Sequence, residues 1–231
     1  MLFGLSFYIQ HDNQAKKGVD FRPRFVWRMV LLAAWGVLDL LFYNGDILFL
    51  YAICGLMVIP FVRLSNKALM IIALVLMMQP VELLYIFLGL FNPDLHPLYL
   101  GSGEYYNMMT NAQISGSFLD VAKVSVTKGF WANLLWTVEN GRMTQTVFFF
   151  VLGIWVGRMR LLYDEGKNRV YWKKIMVAAL FAFAVLCPLV IFVPDRINNV
   201  CVSNSLKVML TMWRNFAMVC FYVAGISWIF H

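Results

Sequence analysis

The chain has 231 residues, of which 61% are hydrophobic and 13% charged, with a mean hydropathy of +0.72 and a formal charge of +7. Soluble domains carry about 25% charge, and a water-soluble fold of this size has too little interior to hide so much apolar surface. The composition therefore excludes a soluble globular enzyme and makes the lipid bilayer the partner of this chain. The positive balance does not indicate nucleic acid, because the basic residues fall in short segments between apolar runs rather than on one face.

The expected fold is all-α: a single polytopic membrane domain over residues 1–231. Met1–Ile9, MLFGLSFYI, is apolar but has nine residues where a crossing needs about 20, and it lacks the charged start and cleavage site of a signal peptide. It reads as the last half of a span whose beginning is missing. Six spans follow, near 25–43, 47–62, 68–91, 144–162, 175–193 and 207–230. The second is short and calls for local thinning or anchoring by flanking aromatic residues. Placing loop 10–24 in the cytoplasm puts 13 of the 19 basic residues inside and five outside, with Arg214 left within the last span. Loop 92–143 and the turn Tyr43-Asn44-Gly45-Asp46 then face outward. The first part of that loop, NPDLHPLYLGSGEYYN, is rich in turn formers. Residues 116–140 carry Phe118, Leu119, Ala122, Val126, Phe130, Trp131, Leu134, Leu135 and Val138 at roughly helical spacing, which predicts one or two helices at the outer surface.

Charged residues inside apolar runs cost roughly 2.5–3.5 kcal/mol each on insertion scales, so each needs a reason to be there. Asp39 precedes the turn at 43–46, and Asp46 follows its Asn-Gly pair. Glu82 lies mid-span, just after Pro80. Arg214 lies in the outer half of the last span, where it is placed to neutralise Asp39 or Asp46. Two readings stand side by side: a structural ion pair, which any buried charge requires, or a water-filled outer cavity with a tuned carboxylate able to act as a base. His96, in NPDLHPLY, is the histidine of the outward loop and is either a plain surface residue or an acid–base group. Gly153-x-x-x-Gly157 gives the fourth span a close-packing face. Cys54, Cys187, Cys201 and Cys220 show no metal-ligand spacing, and a Cys187–Cys201 bridge on the outer side is conceivable. Walker, GxSxG, HExxH and dinucleotide-binding patterns are absent, and neither a metal nor a resident cofactor is expected.

The run Gly36–Leu56, GVLDLLFYNGDILFLYAICGL, resembles the span–GDIL–span signature of the YeiB-like bacterial inner-membrane family, a domain of unknown function grouped with the heparan-alpha-glucosaminide N-acetyltransferase superfamily. Leu2–Phe7 is similar to the end of the family's early LFG-containing span. Thr144–Arg160, TQTVFFFVLGIWVGRMR, is similar to its later glycine-rich span, and Arg214 falls where the family has an arginine. The resemblance implies a membrane acyltransferase that passes an acyl group, with an acyl thioester as donor, to a glycan or lipid acceptor on the outer side of the inner membrane. It further implies that Asp46 and His96 act as catalytic groups, with Asp39, Asn44, Glu82 and Arg214 binding substrate. Against the family pattern, the chain lacks the Arg-Gly-containing first span and the spans beyond His231, as a fragment would, and Asp39 stands where relatives often have His or Asn. Two further functions remain open: a permease with Asp39, Glu82 and Arg214 along its path, and a non-catalytic scaffold or inactive remnant.

Overall fold

The structure is a computed structural model and describes residues 1–42, 47–162 and 166–230. Eleven α-helices and no strand occur among the described residues. They are α1 (Leu2–Ala15), α2 (Arg22–Asp39), α3 (Leu48–Val58), α4 (Asn66–Met77), α5 (Pro80–Phe91), α6 (Ser102–Ser115), α7 (Phe118–Val124), α8 (Phe130–Glu139), α9 (Arg142–Arg158), α10 (Gly166–Phe192) and α11 (Val200–Phe230). The expected all-helical class is what the chain adopts. The helices form two compact units, residues 1–69 with 99–154, and residues 70–98 with 155–231.

The expected six spans resolve into fewer helices of crossing length. Among the described residues, Arg169–Arg196 and Val200–Ile229 are each long and apolar enough to cross a membrane, and α4 with α5 makes a third crossing if the pair, bent by 43°, is taken as one span. The other three are helical but fall short. Helix α2 has 18 residues and carries Arg22, Arg24, Arg28 and Asp39. Helix α3 has 11 residues and continues for only five more as a 3-10 turn, Ile59–Arg63, where Pro60 lacks the amide needed to extend the α-helix. Helix α9 has 17 residues and an arginine at each end. At 1.5 Å per residue, none reaches the ~30 Å of a hydrocarbon core without tilt or thinning.

In the first unit, the apolar N-terminal stretch extends further than expected. It continues as helix through Ala15 and stops at a turn in which Gly18 takes a left-handed φ of +69°. Its aromatic residues build the core: Phe3 stacks on Phe150 of α9 at 4.3 Å, and Phe7 lies 4.4 Å from Phe25 of α2. Tyr51 of α3 closes the group, 5.6 Å from Phe150 and edge-on to it. Two glycines permit this packing. A Cβ on Gly4 would overlap the Phe150 carbonyl, and one on Gly153 would overlap the backbone of Met1 and Leu5. Gly153 thus supplies the close-packing surface expected of the fourth span, with Gly4 opposite it. Outside this core, Arg22 hydrogen-bonds Asp20 and holds its exposed carboxyl down at about 2.

Residues 116–140 are helical, as their apolar spacing predicts, but in two pieces. Ser117 and Asp120 form a reciprocal capping box at the start of α7, and the bonds from Ser117 lower the Asp120 carboxyl below its ordinary range. Ser125–Gly129 is a π-turn that feeds α8, with Met109 of α6 packed 3.3 Å from the space a Cβ on Gly129 would fill. Helix α6 was not expected within a turn-rich loop. Gly101 enters it at a φ of +90°, and the Glu139 carboxylate accepts from the backbone amides of Leu100 at 2.5 Å and Ser102 at 3.2 Å, and from the Ser102 hydroxyl. The start of α6 is therefore capped from 37 residues away, which no local pattern reveals.

Candidate functional site

The second unit concentrates buried polar groups between two apolar helices. It begins with a break in the chain. Pro80 has no amide to donate and would clash with a continuing helix, so α4 ends at Met77 and α5 starts afresh. Gln79 absorbs the change of direction with a left-handed φ of 50°. The indole of Trp213 on α11 donates to the Met77 carbonyl at 2.9 Å, so this freed helix end is satisfied within the unit.

From that break, α5 and α11 run antiparallel, and their contacts follow a helical period on each side. Gln79 Nε2 donates to the Met212 sulfur at 2.8 Å. The Ser205 hydroxyl donates to the Glu82 carboxylate. The Cys201 thiol faces the Tyr85 carbonyl at 3.7 Å, and Asn199 Nδ2 donates to the Gly89 carbonyl at 2.8 Å. Positions 79, 82, 85 and 89 lie on one face of α5, as do 201, 205 and 212 on α11. Gly89 lets the helices approach: a Cβ there would lie 2.9 Å from a Val202 methyl. Gln79, Glu82 and Ser205 are 1%, 3% and 1% exposed, so the seam is closed to solvent. Exposed apolar side chains lie beyond the ladder, with Phe87 on the far face of α5 and Tyr222 and Ile226 further along α11. An outward apolar surface with an inward polar ladder is the arrangement expected where lipid is the solvent.

Glu82 is the residue of chemical interest here. No ion pair reaches it among the described residues, and its partner is a neutral hydroxyl. A buried carboxyl without a cation is costly in an apolar setting unless it exchanges a proton or serves a function.

The other candidates have surroundings of their own. Arg214 follows Trp213 on α11, is half-buried, and reaches its neighbour Asn215 at 3.3 Å. Neither it nor Asp39 enters an ion pair among the described residues. Asp39 ends α2 in the first unit and is half-buried. His96 is exposed on the segment between α5 and α6. Asn44 and Asp46, with the rest of the turn at 43–46, lie outside the described residues. The four cysteines are free thiols, so Cys187 and Cys201 are not bridged, and Cys201 belongs to the seam instead.

Sequence reasoning singled out Glu82 but missed Gln79, Asn199 and Ser205. For Ser205 the signal available was the pair of small residues Cys201 and Ser205, four apart in α11.

No family model matches the chain, and no solved structure matches it. It is similar to the uncharacterized protein YxaH of Bacillus subtilis (strain 168), with 26% identity over 204 residues, covering 78% of this chain and 46% of that protein. It is also similar to an uncharacterized 39.9 kDa protein in the amylase 3' region of Bacillus acidopullulyticus, with 32% identity over 66 residues, covering 29% of this chain and 19% of that protein. The chain thus spans about half the length of the first relative and about a fifth of the second.

Proposed function

We propose that the chain is part of a multi-span protein of the bacterial inner membrane that transfers an acyl group to an acceptor on the outer side. The observation that carries the reading is Glu82: a carboxyl 3% exposed, held by the Ser205 hydroxyl, on a helix that restarts at Pro80. Such a group can take a proton from an attacking acceptor and return it to the leaving group. In the transfer, the acceptor oxygen or nitrogen bonds to the acyl carbon, the carbon–sulfur bond of a thioester donor breaks, and the acceptor's proton passes to the leaving thiolate by way of the base. The GDIL-containing run and the arginine at 214 support the same reading through their resemblance to the YeiB-like family and its acyltransferase superfamily. Six crossings belong to this proposal: α2, α3 and α9 would cross by tilt or local thinning, in addition to α4–α5, α10 and α11. Loop 10–24 lies in the cytoplasm and loop 92–143 outside, with Asp46 and His96 on the acceptor side, and Asp39, Asn44 and Arg214 contacting substrate.

The test is reconstituted full-length protein supplied with a labelled acyl thioester and outer-membrane-face glycan and lipid acceptors. Label transfer is expected, and Glu82→Gln and Asp46→Asn are each expected to reduce it by about 100-fold or more. Unchanged transfer in Glu82→Gln removes that carboxyl from the chemistry.

A permease is the second reading, favoured by one observation, the 43° break between α4 and α5, because broken helices frame substrate sites in transporters. Solute uptake into proteoliposomes that is abolished by Glu82→Gln, without acyl transfer, would favour it.

A further inference from the structure

Helices α10 and α11, with Met77 of α4, leave an apolar cleft of about 360 Å³ on the second unit. Ala178, Ala182 and Leu186 line it from α10, and Trp213, Ala217 and Cys220 from α11. The alanines make the gap, since each stops at a Cβ where a leucine would fill the space between the helices. An apolar cavity of about 150 Å³ accepts a benzene molecule, so this one holds a considerably larger apolar group. The one polar group of the Trp213 ring is already used on the Met77 carbonyl, which leaves the cleft wall apolar.

Two features identify the occupant. The first is length. Lys174, Ala178, Ala182 and Leu186 follow one another at four-residue steps on one ridge of α10, and Lys174 to Leu186 spans roughly 18 Å of helix, close to the ~15 Å depth of one leaflet. The second is charge. Arg169, Lys173 and Lys174 are exposed at the end of α10 where that ridge begins, and α-helical side chains lean toward the N-terminus, which carries Lys174 away from the apolar cleft and toward the membrane surface. An apolar slot one leaflet deep, with two adjacent lysines at its mouth, matches one chain and the phosphate of an anionic phospholipid.

We propose that the α10–α11 cleft binds a single anionic phospholipid, its acyl chain against Ala178 and Ala182 and its phosphate at Lys173 and Lys174. The leaflet is the cytoplasmic one under the orientation given above; the binding itself does not depend on acyl transfer. The full chain, purified in detergent, is titrated with palmitoyl-oleoyl phosphatidylglycerol or phosphatidylcholine, and bound lipid is counted by native mass spectrometry. One phosphatidylglycerol per chain is expected, with about tenfold preference over phosphatidylcholine. Replacing Lys173 and Lys174 by Ala together is expected to bring the two lipids to equal occupancy, and Ala182→Trp to remove both. Equal occupancy of the two lipids by the unaltered chain would overturn the proposal, as would Ala182→Trp retaining phosphatidylglycerol, or a lipid-free dimer that Ala182→Trp separates. The lysine variant alters only exposed side chains, so it keeps the test decisive if the tryptophan variant misfolds. Failure here leaves acyl transfer standing, and loss of acyl transfer leaves lipid retention to be read by itself.

Discussion

Around α1, α3 and α9 the interior is a pile of aromatic rings resting on two glycines, whereas between α5 and α11 it is a ladder of hydrogen bonds. The first unit gains its order from shape. Phe3, Tyr51 and Phe150 interlock, and neighbouring backbones touch where Gly4 and Gly153 allow it. The second unit also buries Val202, Leu210 and Met212 on α11, and adds hydrogen bonds between its helices. Its helices are joined where a buried donor meets a buried acceptor. Lipid tails are as apolar as leucine, so an apolar contact between helices is favoured less in a bilayer than in water, and close packing or polar pairing must supply the difference. The first unit shows close packing most plainly, and the second polar pairing.

That contrast can be broken in several places. The largest effect is expected in the aromatic core: Phe150→Ala leaves Phe3 and Tyr51 without their common neighbour and should cost about 3–5 kcal/mol of unfolding free energy in detergent. A cost below 1 kcal/mol would mean the rings do not hold the first unit. Next come the glycines. Gly4→Ala forces a Cβ onto a backbone carbonyl and should cost about 1–3 kcal/mol, while Gly89→Ala meets only a Val202 methyl that can turn aside and should cost less. Equal losses in thermal unfolding would erase the distinction between backbone and side-chain contact. In the second unit, Ser205→Ala strands the Glu82 carboxyl and should cost about 1–3 kcal/mol, and Trp213→Phe, which strips the donor from the Met77 carbonyl, about 1 kcal/mol. The smallest effect lies outside both interiors. The Asp20 carboxyl is depressed in the folded chain by Arg22, so its contribution is present above the ordinary carboxyl range near pH 4 and lost as the pH falls through about 2. Arg22→Gln should return the Asp20 titration, followed by NMR, to the ordinary range. A midpoint that stays low would assign the depression to another cause.

The same comparison explains what could be read from the residues alone. Apolar runs, the basic residues between them and Pro80 after Gln79 are local, so helical class, the break near residue 80 and the conspicuous Glu82 are visible in the sequence. Gly153 is visible too, as half of a glycine pair four residues apart, although its partner Gly4 is not. What escapes is anything set by two distant segments. The start of α6 depends on Glu139, and Ser205 matters only because α11 meets α5 in one register. Crossing length is a different failure: apolar composition marks α2, α3 and α9 as spans, but charged ends and Pro60 stop each helix before it reaches that length.

The pairing of Glu82 with Ser205 is the claim on which the rest turns, and a double-mutant cycle measures it directly. Glu82→Ala, Ser205→Ala and the double variant are unfolded reversibly in detergent alongside the unaltered chain. A buried hydrogen-bonded pair predicts a coupling free energy of about 1 kcal/mol. Additive losses, with a coupling indistinguishable from zero, would contradict the seam and the role assigned to its carboxyl.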